Sequence, residues 1–287
     1  MTLVPGRQFA DIEDPAHVAR YLIRYCGINE EALQKIALLK AREELRFTEA
    51  ALRLGLVTQA DIDAALSASR SLDSAEPARA SPAQVLKVAH DPFHPHSESI
   101  RALRTALLLR QDESKPNVLA VVSSQPAEGR SQLAAELAIS CAQLGQPVLL
   151  VDADLRNPRQ HQLFNTDNQR GLANALSDTA APRLHGVTGL PQLTLLTAGS
   201  LAGNPLELLA SDALGALLVG WRRRYRHIIF DTPPVANVSD ALAVAIHVGA
   251  VLTVARLHRT PLDQWKILNN RIATTRARVL GGVLNRF

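Results

Sequence analysis

Aromatic residues and cysteines are scarce in this 287-residue sequence. Aromatic residues make up 4% of the chain, and three of them are tyrosines, Tyr21, Tyr25 and Tyr225. So few tyrosines exclude a cluster of them at the carboxyl end. The two cysteines, Cys26 and Cys141, lie far apart and show no metal-ligand spacing. We therefore expect neither a disulfide framework nor a cysteine-based metal site.

Long apolar runs are also missing. The most apolar window, residues 241–255, is shorter than a bilayer requires and is interrupted by His247 and Gly249. Residues 1–14 lack the long apolar segment of a secretion signal. The sequence therefore predicts a cytoplasmic protein.

The sequence has only a small excess of positive charge. The chain has 31 Lys and Arg residues against 27 Asp and Glu residues, a formal net charge of +4. Because this excess is too small to indicate nucleic-acid binding, we expect no nucleic-acid partner. The local cluster at residues 222–226 follows a predicted helix, where cations complement the helix dipole. A docking surface for an acidic partner or for the inner leaflet is the alternative for this cluster.

One stretch between a predicted strand and a predicted helix is typical of a phosphate-binding loop. Residues 124–132 align with G-x-x-x-x-G-K-[ST], with Ser124 and Gly129 at the glycines, Arg130 at the lysine and Ser131 at the hydroxyl. Gly129 lets backbone N–H groups approach phosphate oxygens, and the next helix offers a positive dipole end. An ordinary strand-to-helix turn is the alternative when the loop is considered alone.

Two later strands end in carboxylates. Asp152 and Asp154 follow one apolar run, and Asp231 follows another. Because the carboxyl ends of parallel strands share one edge of a sheet, we expect the loop and these carboxylates to meet there. Such a site suits a nucleotide with Mg²⁺, which Ser131, Asp152 and Asp231 would hold directly or through water. Carboxylates that only cap a helix or anchor a loop are the alternative.

These motifs resemble those of the bacterial tyrosine kinases of exopolysaccharide loci. The loop, the D-x-D-x-R motif at residues 152–156 and the D-x-P-P motif at residues 231–234 correspond to the Walker A, second acidic and Walker B motifs of that family. Residues 129–131 and 154–161 are similar to the standalone chain-length-determinant kinases of the EpsG type. The resemblance covers about the last two-thirds of the chain well.

The resemblance implies an ATP-dependent protein tyrosine kinase that acts in exopolysaccharide or capsule synthesis and export, with ATP and Mg²⁺ as cofactors. Arg130 would contact the β and γ phosphates, and either Asp152 or Asp154 would orient or deprotonate the acceptor. The nucleotide-binding residues would be Gln125, Pro126, Ala127, Glu128, Gly129, Arg130, Ser131 and Gln132. The implied partner is the cytoplasmic part of a membrane chain-length determinant, which would place the chain peripherally at the inner membrane.

A further segment resembles the helix through which these kinases assemble into rings. It carries the pattern E-x-x-R-x-x-R at Glu98, Arg101 and Arg104, which implies a homo-oligomer. Charges at this spacing also arise from pairing within one helix.

The sequence departs from the family in the loop and in the acceptor. Ala127 replaces a usual glycine, Arg130 the lysine and Gln132 the common threonine, and residues 284–287 carry no tyrosine. Three alternatives follow: a kinase that modifies another protein or its own amino-terminal module, a ParA- or MinD-like ATPase switch, and a scaffold that binds nucleotide or none. The signature lysine of the ParA and MinD loops is missing, since Gln125 lies in that region.

Alternating strand and helix patterns predict an α/β fold of the P-loop NTPase type, a mainly parallel sheet flanked by helices. We expect a small helical module at residues 1–70, a linker at 71–95 and the P-loop domain at 96–287. The module resembles the amino-terminal domain of type II secretion ATPases, and Gly55 and Thr58 are placed to end one helix and begin the next. A docking module and a cyclic-dinucleotide sensor are its two alternatives.

Three histidines, His90, His94 and His96, alternate with prolines in and beside the predicted linker. They do not combine with carboxylates or cysteines into a recognisable metal-ligand pattern. We expect them to be surface residues.

Overall fold

The chain divides into two units, residues 1–74 and 75–287. The structure is a computed structural model that describes residues 28, 30–43, 45–59, 61–62, 80–110, 115–236 and 238–286. Within these ranges, no helix combines the length and the apolar character needed to cross a bilayer. Residues 1–27 of the predicted helical module, which include Cys26, lie outside the described residues.

The described part of the first unit is helical. It contains α1 (Glu30–Glu43) and α2 (Phe47–Arg53). A small apolar core that includes Ile36, Ala50 and Ala51 holds these helices together. Burial of one apolar face on each helix accounts for their stability at this short length.

Gly55 and Thr58 lie where one helix ends and the next begins, as the sequence predicts. Gly55 has a left-handed φ of 66°, and its N–H donates to the carbonyl of Leu52. The Thr58 hydroxyl accepts from the N–H of Asp61 at 3.2 Å, and the Asp61 carboxylate accepts from the N–H of Thr58 at 2.8 Å. This reciprocal pair is a capping box.

The second unit is built on a seven-stranded sheet. Its strands are β1 (Asn117–Ser123), β2 (Val148–Asp152), β3 (Leu184–Val187), β4 (Leu190–Leu196), β5 (His227–Asp231), β6 (Ala250–Arg256) and β7 (Arg278–Asn285). They lie in the order β3-β4-β2-β5-β1-β6-β7, and only β3 and β4 pair antiparallel. The sequence pattern does not predict the short edge strand β3, because its residue types do not follow its burial: His185 is buried, whereas Leu184 and Gly186 are half-buried.

Helices cover the sheet of the second unit. They are α3 (Lys87–His90), α4 (Pro95–Leu108), α5 (Arg130–Ala142), α6 (Gln160–Leu163), α7 (Leu172–Ser177), α8 (Pro205–Ala210), α9 (Asp212–Arg224), α10 (Asp240–Val248) and α11 (Leu262–Ala273). Along β1, Val118, Ala120 and Val122 belong to one apolar core, whereas Leu119 and Val121 belong to the other. A parallel strand buried on both faces explains its unbroken apolar run, and the predicted α/β fold is confirmed.

The predicted linker at residues 71–95 is wrong in its carboxyl part. Residues 80–95 belong to the second unit, and Leu86 is fully buried there. The N–H of Lys87 donates to the carboxylate of Glu136 on α5 at 3.0 Å. The prolines therefore shape a segment that packs on the domain, and only tertiary contacts reveal this. The amino-terminal part of the predicted linker lies outside the described residues.

If this segment is part of the domain, Leu86→Ala should lower the free energy of unfolding by about 2–5 kcal/mol, because it leaves a cavity in the core. Val85→Ala is the matched control, since Val85 is 46% exposed. Chemical denaturation of both variants measures the difference. Equal stabilities of the two variants would show that residues 80–95 contribute no core.

Candidate functional site

The loop between β1 and α5 has the backbone form of a phosphate-binding loop. Gly129 adopts a φ of 88° directly before α5, in the left-handed region that glycine tolerates best. The first turn of α5 has N–H groups without helical partners. Ala127 also adopts a positive φ, of 61°, although its side chain makes this conformation costly by about 1–2 kcal/mol. Ala127 therefore adopts a backbone conformation that glycine would adopt at lower cost.

The side chain of Glu128 holds the loop in this shape. It is almost fully buried, and its carboxylate accepts hydrogen bonds from the Ser124 hydroxyl at 3.1 Å and from the N–H of Gln125 at 2.9 Å. The hydroxyl of Thr260, in the segment between β6 and α11, donates to the same carboxylate. Glu128 was expected to contact nucleotide, but its carboxylate is turned into the protein and braces the loop.

The three predicted carboxylates meet beside the loop. Asp152 and Asp231 are directly paired in the register of β2 and β5, and both are fully buried. Both oxygens of Asp152 accept backbone N–H groups, from Asp154 at 3.2 Å and from Arg159 at 3.0 Å. Asp154 reaches the cavity beside the loop, whereas Asp152 fixes the turn that carries it. Of the two candidate bases, Asp154 is therefore the one that can touch an acceptor.

Gln160 links the motifs, and sequence reasoning missed it. Its side-chain amide donates to Asp231 Oδ2 at 2.8 Å and to the carbonyl of Ser131 at 2.9 Å. Its backbone N–H donates to Asp152 Oδ2 at 2.9 Å. One buried residue thus connects the loop helix with both carboxylate strands. Its position eight residues after Asp152 was the only signal in the sequence.

The buried carboxylates have raised pKa values. Burial raises the pKa of Asp152 well above its usual range, and the neighbouring Asp231 carboxylate raises it further. Burial raises the pKa of Asp231 to about 6, although the Arg130 guanidinium and hydrogen bonds from Gln160 and Ser131 oppose this. Burial also raises the pKa of Asp154. Ionising these buried carboxylates therefore costs free energy, and a bound cation would lower that cost.

Arg130, in the place of the usual lysine, turns back into the loop. Its Nε donates to the carbonyl of Thr232 at 2.5 Å, and one terminal nitrogen donates to the Ser123 hydroxyl and to the carbonyl of Gln125. The other terminal nitrogen lies 3.7 Å from the Asp154 carboxylate. The side chain is buried, so it joins the motifs at the back of the site.

The oxygen ligands available here suit Mg²⁺. The Ser131 hydroxyl lowers the pKa of the nearby Asp231 carboxylate, and one oxygen of Asp231, Oδ1, is buried without a hydrogen-bond partner among the described residues. Hard oxygen ligands of this kind are those that Mg²⁺ prefers. In the described part of the chain, no three His, Cys, Asp or Glu side chains form a metal cage. A divalent ion would therefore take its remaining ligands from phosphate and water.

Two cavities adjoin the loop. The first, of about 600 Å³, is lined by residues 126–132 with Asp154, Arg159 and Arg256. The second, of about 470 Å³, shares Gly129 and Gln132 with the first and is lined by α4, α5 and β7, where apolar residues such as Ile100, Leu103 and Val283 alternate with polar ones such as His96 and Glu136. A ligand that passes Gly129 and Gln132 can therefore occupy both cavities.

His96 is half-buried and has a carboxylate partner that the sequence does not predict. Its Nε2 lies 2.5 Å from the carboxylate of Glu136, which is fully buried on α5. His94 caps α4, because its Nδ1 accepts from the N–H of His96 at 3.1 Å. His90 is exposed and contacts the carbonyl of Pro82. The carboxylate partner is 40 residues away in the sequence, so local patterns could not reveal it.

The residues of the predicted assembly helix differ in exposure. Glu98 and Arg101 form an ion pair at 2.5 Å on the exposed side of α4. Arg104 instead donates to the carbonyl of Ser140 at 2.6 Å on α5 of the same chain. Glu98 is exposed, whereas Arg101 also donates to the carbonyl of Pro92 and Arg104 is held within its own domain.

Residues 117–276 match the family model described as Cellulose biosynthesis protein BcsQ. The chain is 31% identical over 191 residues to the putative tyrosine-protein kinase CapB of Staphylococcus aureus, covering 66% of this chain and 84% of CapB. It is 32% identical over 203 residues to a putative tyrosine-protein kinase in the cps region of Klebsiella pneumoniae, covering 70% of this chain. It spans about a quarter of the length of that kinase and of several other curated relatives.

Solved structures give the same picture. The kinase domain of Escherichia coli tyrosine kinase ETK is 32% identical, with a TM-score of 0.67 over 70% of this chain and 79% of that domain. The septum site-determining protein MinD of Pyrococcus horikoshii, solved with Mg-ADP, is 18% identical, with a TM-score of 0.51 over 60% of this chain and 71% of MinD. The second similarity concerns the fold alone.

Replacing Asp231 should stabilise the ligand-free protein. Its pKa is raised from 3.8 to about 6 in the folded protein. Above about pH 6, the ionised carboxylate therefore lowers the free energy of unfolding. At pH 7.5, Asp231→Asn should raise the free energy of unfolding by about 1–3 kcal/mol. The difference between variant and parent should shrink as the pH falls through 6 towards 4, because the carboxylate becomes protonated in the folded state and then partly protonated in the unfolded state. Urea unfolding at the two pH values tests this, and a variant less stable than the parent at pH 7.5 would contradict it.

Proposed function

The chain belongs to the bacterial tyrosine-protein kinase family, and we therefore propose that it transfers the terminal phosphoryl group of ATP to tyrosine residues of another protein. The observation that carries this proposal is the meeting of Ser131, Asp154 and Asp231 beside one loop whose cavity shares Gly129 and Gln132 with a second one. The first cavity would hold the phosphates of a nucleotide, and the second would hold its base.

The residues at the site divide the work of phosphoryl transfer. Ser131 and Asp231 would hold Mg²⁺, which neutralises charge on the phosphates when bound. Asp154, whose pKa is raised by burial, would accept the proton of the tyrosine hydroxyl from its position in the cavity wall. Asp152 and Gln160 would keep these carboxylates in place through their hydrogen bonds.

We also propose a setting in which the kinase acts with the cytoplasmic part of a membrane chain-length determinant in exopolysaccharide synthesis and export. Similarity to a putative kinase of a cps region supports this setting. The chain would then work in the cytoplasm, held peripherally at the inner membrane by its partner. The acceptor tyrosine would belong to the partner or to another protein.

An ATPase switch is the second candidate. The fold similarity to MinD favours it. A switch that only hydrolyses ATP also needs no tyrosine acceptor. A scaffold without catalysis is the remaining alternative.

Incubation with γ-labelled ATP, Mg²⁺ and a synthetic tyrosine-containing polypeptide separates these functions. A kinase should place the label on phosphotyrosine, and Asp154→Asn should lower transfer at least 10-fold while leaving ATP binding largely intact. Asp178→Asn, an exposed carboxylate outside the site, is the control. Labelled free phosphate without labelled polypeptide would favour the switch, and no turnover at all would favour the scaffold.

Assembly through α4 gives another test. We expect the parent to be oligomeric and Glu98→Ala to shift it towards monomers, measured by light scattering. Glu31→Ala is a matched control, because Glu31 also forms an exposed ion pair within one helix, with Lys35. A parent that is already monomeric, or an oligomer unchanged by Glu98→Ala, would remove this assembly mode.

A further inference from the structure

The arginine of the phosphate-binding loop is not free to bind phosphate. Arg130 donates to the carbonyl oxygens of Thr232 and Gln125 and to the Ser123 hydroxyl, and it lies beside Asp154. Moving this guanidinium towards a ligand would leave those buried acceptors without a donor, which is unfavourable. The positive charge that the loop usually offers to phosphate is therefore committed to the protein itself.

Two other arginines line the first cavity. Arg256 donates to the carbonyl of Ala127 at 3.2 Å and so helps to hold the loop. Arg159 differs, because it is exposed and its guanidinium has no hydrogen bond or ion pair with any residue that the structure describes. Its backbone is fixed nevertheless, since its N–H donates to Asp152 Oδ2 at 3.0 Å. An anchored backbone with an unengaged guanidinium suits a side chain that binds an incoming anion.

The position of Arg159 selects one end of the ligand. The two cavities share Gly129 and Gln132, so a nucleotide lying across both would pass these residues between its phosphates and its base. Arg159 lines only the first cavity, together with Asp154 and Asn157, and none of these three residues lines the second. This is the end at which the terminal phosphate would lie.

We propose that Arg159 binds the terminal phosphate of ATP and supplies the charge that Arg130, engaged within the protein, does not. The inference rests on the proposed function, because it requires ATP in the two cavities. It assigns different tasks to the two arginines: Arg130 maintains the shape of the loop, and Arg159 distinguishes a nucleoside triphosphate from a diphosphate.

The test compares the affinities of the full chain for MgATP, MgADP and AMP by titration calorimetry. Arg159→Ala should weaken MgATP binding about 10- to 100-fold and change MgADP and AMP binding less than about 3-fold. Arg159→Lys should retain part of the preference for ATP, because it keeps the charge without the planar fork. Arg130→Ala should weaken MgATP and MgADP to a similar extent. Arg170→Ala, an exposed arginine that lines neither cavity, is the control.

The outcomes separate the two claims. A parent that binds ATP, with Arg159→Ala binding MgATP as well as the parent or losing MgATP and MgADP equally, overturns the role of Arg159 alone. A selective loss of MgATP in Arg130→Ala but not in Arg159→Ala also overturns it. A parent that binds no nucleotide overturns the proposed function together with this inference. Thermal unfolding of each variant shows that any loss of binding is not a loss of fold.

Discussion

The site depends on two carboxylates buried side by side on neighbouring parallel strands. Asp152 and Asp231 have no access to water, and each raises the cost of ionising the other. The protein offsets this cost with the turn after Asp152, which brings backbone N–H groups and the Gln160 amide to the two side chains. The same turn presents Asp154 and Arg159 to the cavity. The hydrogen bonds that offset this cost therefore also fix the positions of the surrounding groups. A loss of stability of this kind is common at functional sites.

The loop shows how an unusual sequence keeps a familiar shape. Gly129 retains the conformation that the turn requires, and Ala127 is held in a conformation that would suit glycine better. Glu128 and Arg130 hold the loop from inside through buried hydrogen bonds. The substitutions therefore change which side chains remain available to a ligand more than they change the path of the backbone.

Much of this arrangement could be predicted from the sequence, for a physical reason. Apolar runs that end in carboxylates, with helices between them, lead to parallel strands whose ends meet at one edge. That rule brings Asp231 beside Asp152 without knowledge of any side-chain contact. What could not be predicted depends on partners distant in the chain. Gln160 contacts residues on two other elements, and the partner of His96 lies 40 residues away. The sequence predicts a linker around Leu86 because prolines surround it. Only the packing of Leu86 on the domain shows that it belongs to the core.

The central claim is that Ser131 and Asp231 hold a divalent ion against a triphosphate bound by the loop. Calorimetric titration of ATP with and without Mg²⁺, into the parent and into Ser131→Ala, tests it most directly. The account predicts one site per chain, tighter binding with Mg²⁺ in the parent, and loss of that Mg²⁺ effect in Ser131→Ala. Binding of ATP that is equally tight with and without Mg²⁺ in the parent, or no binding at all, would contradict it.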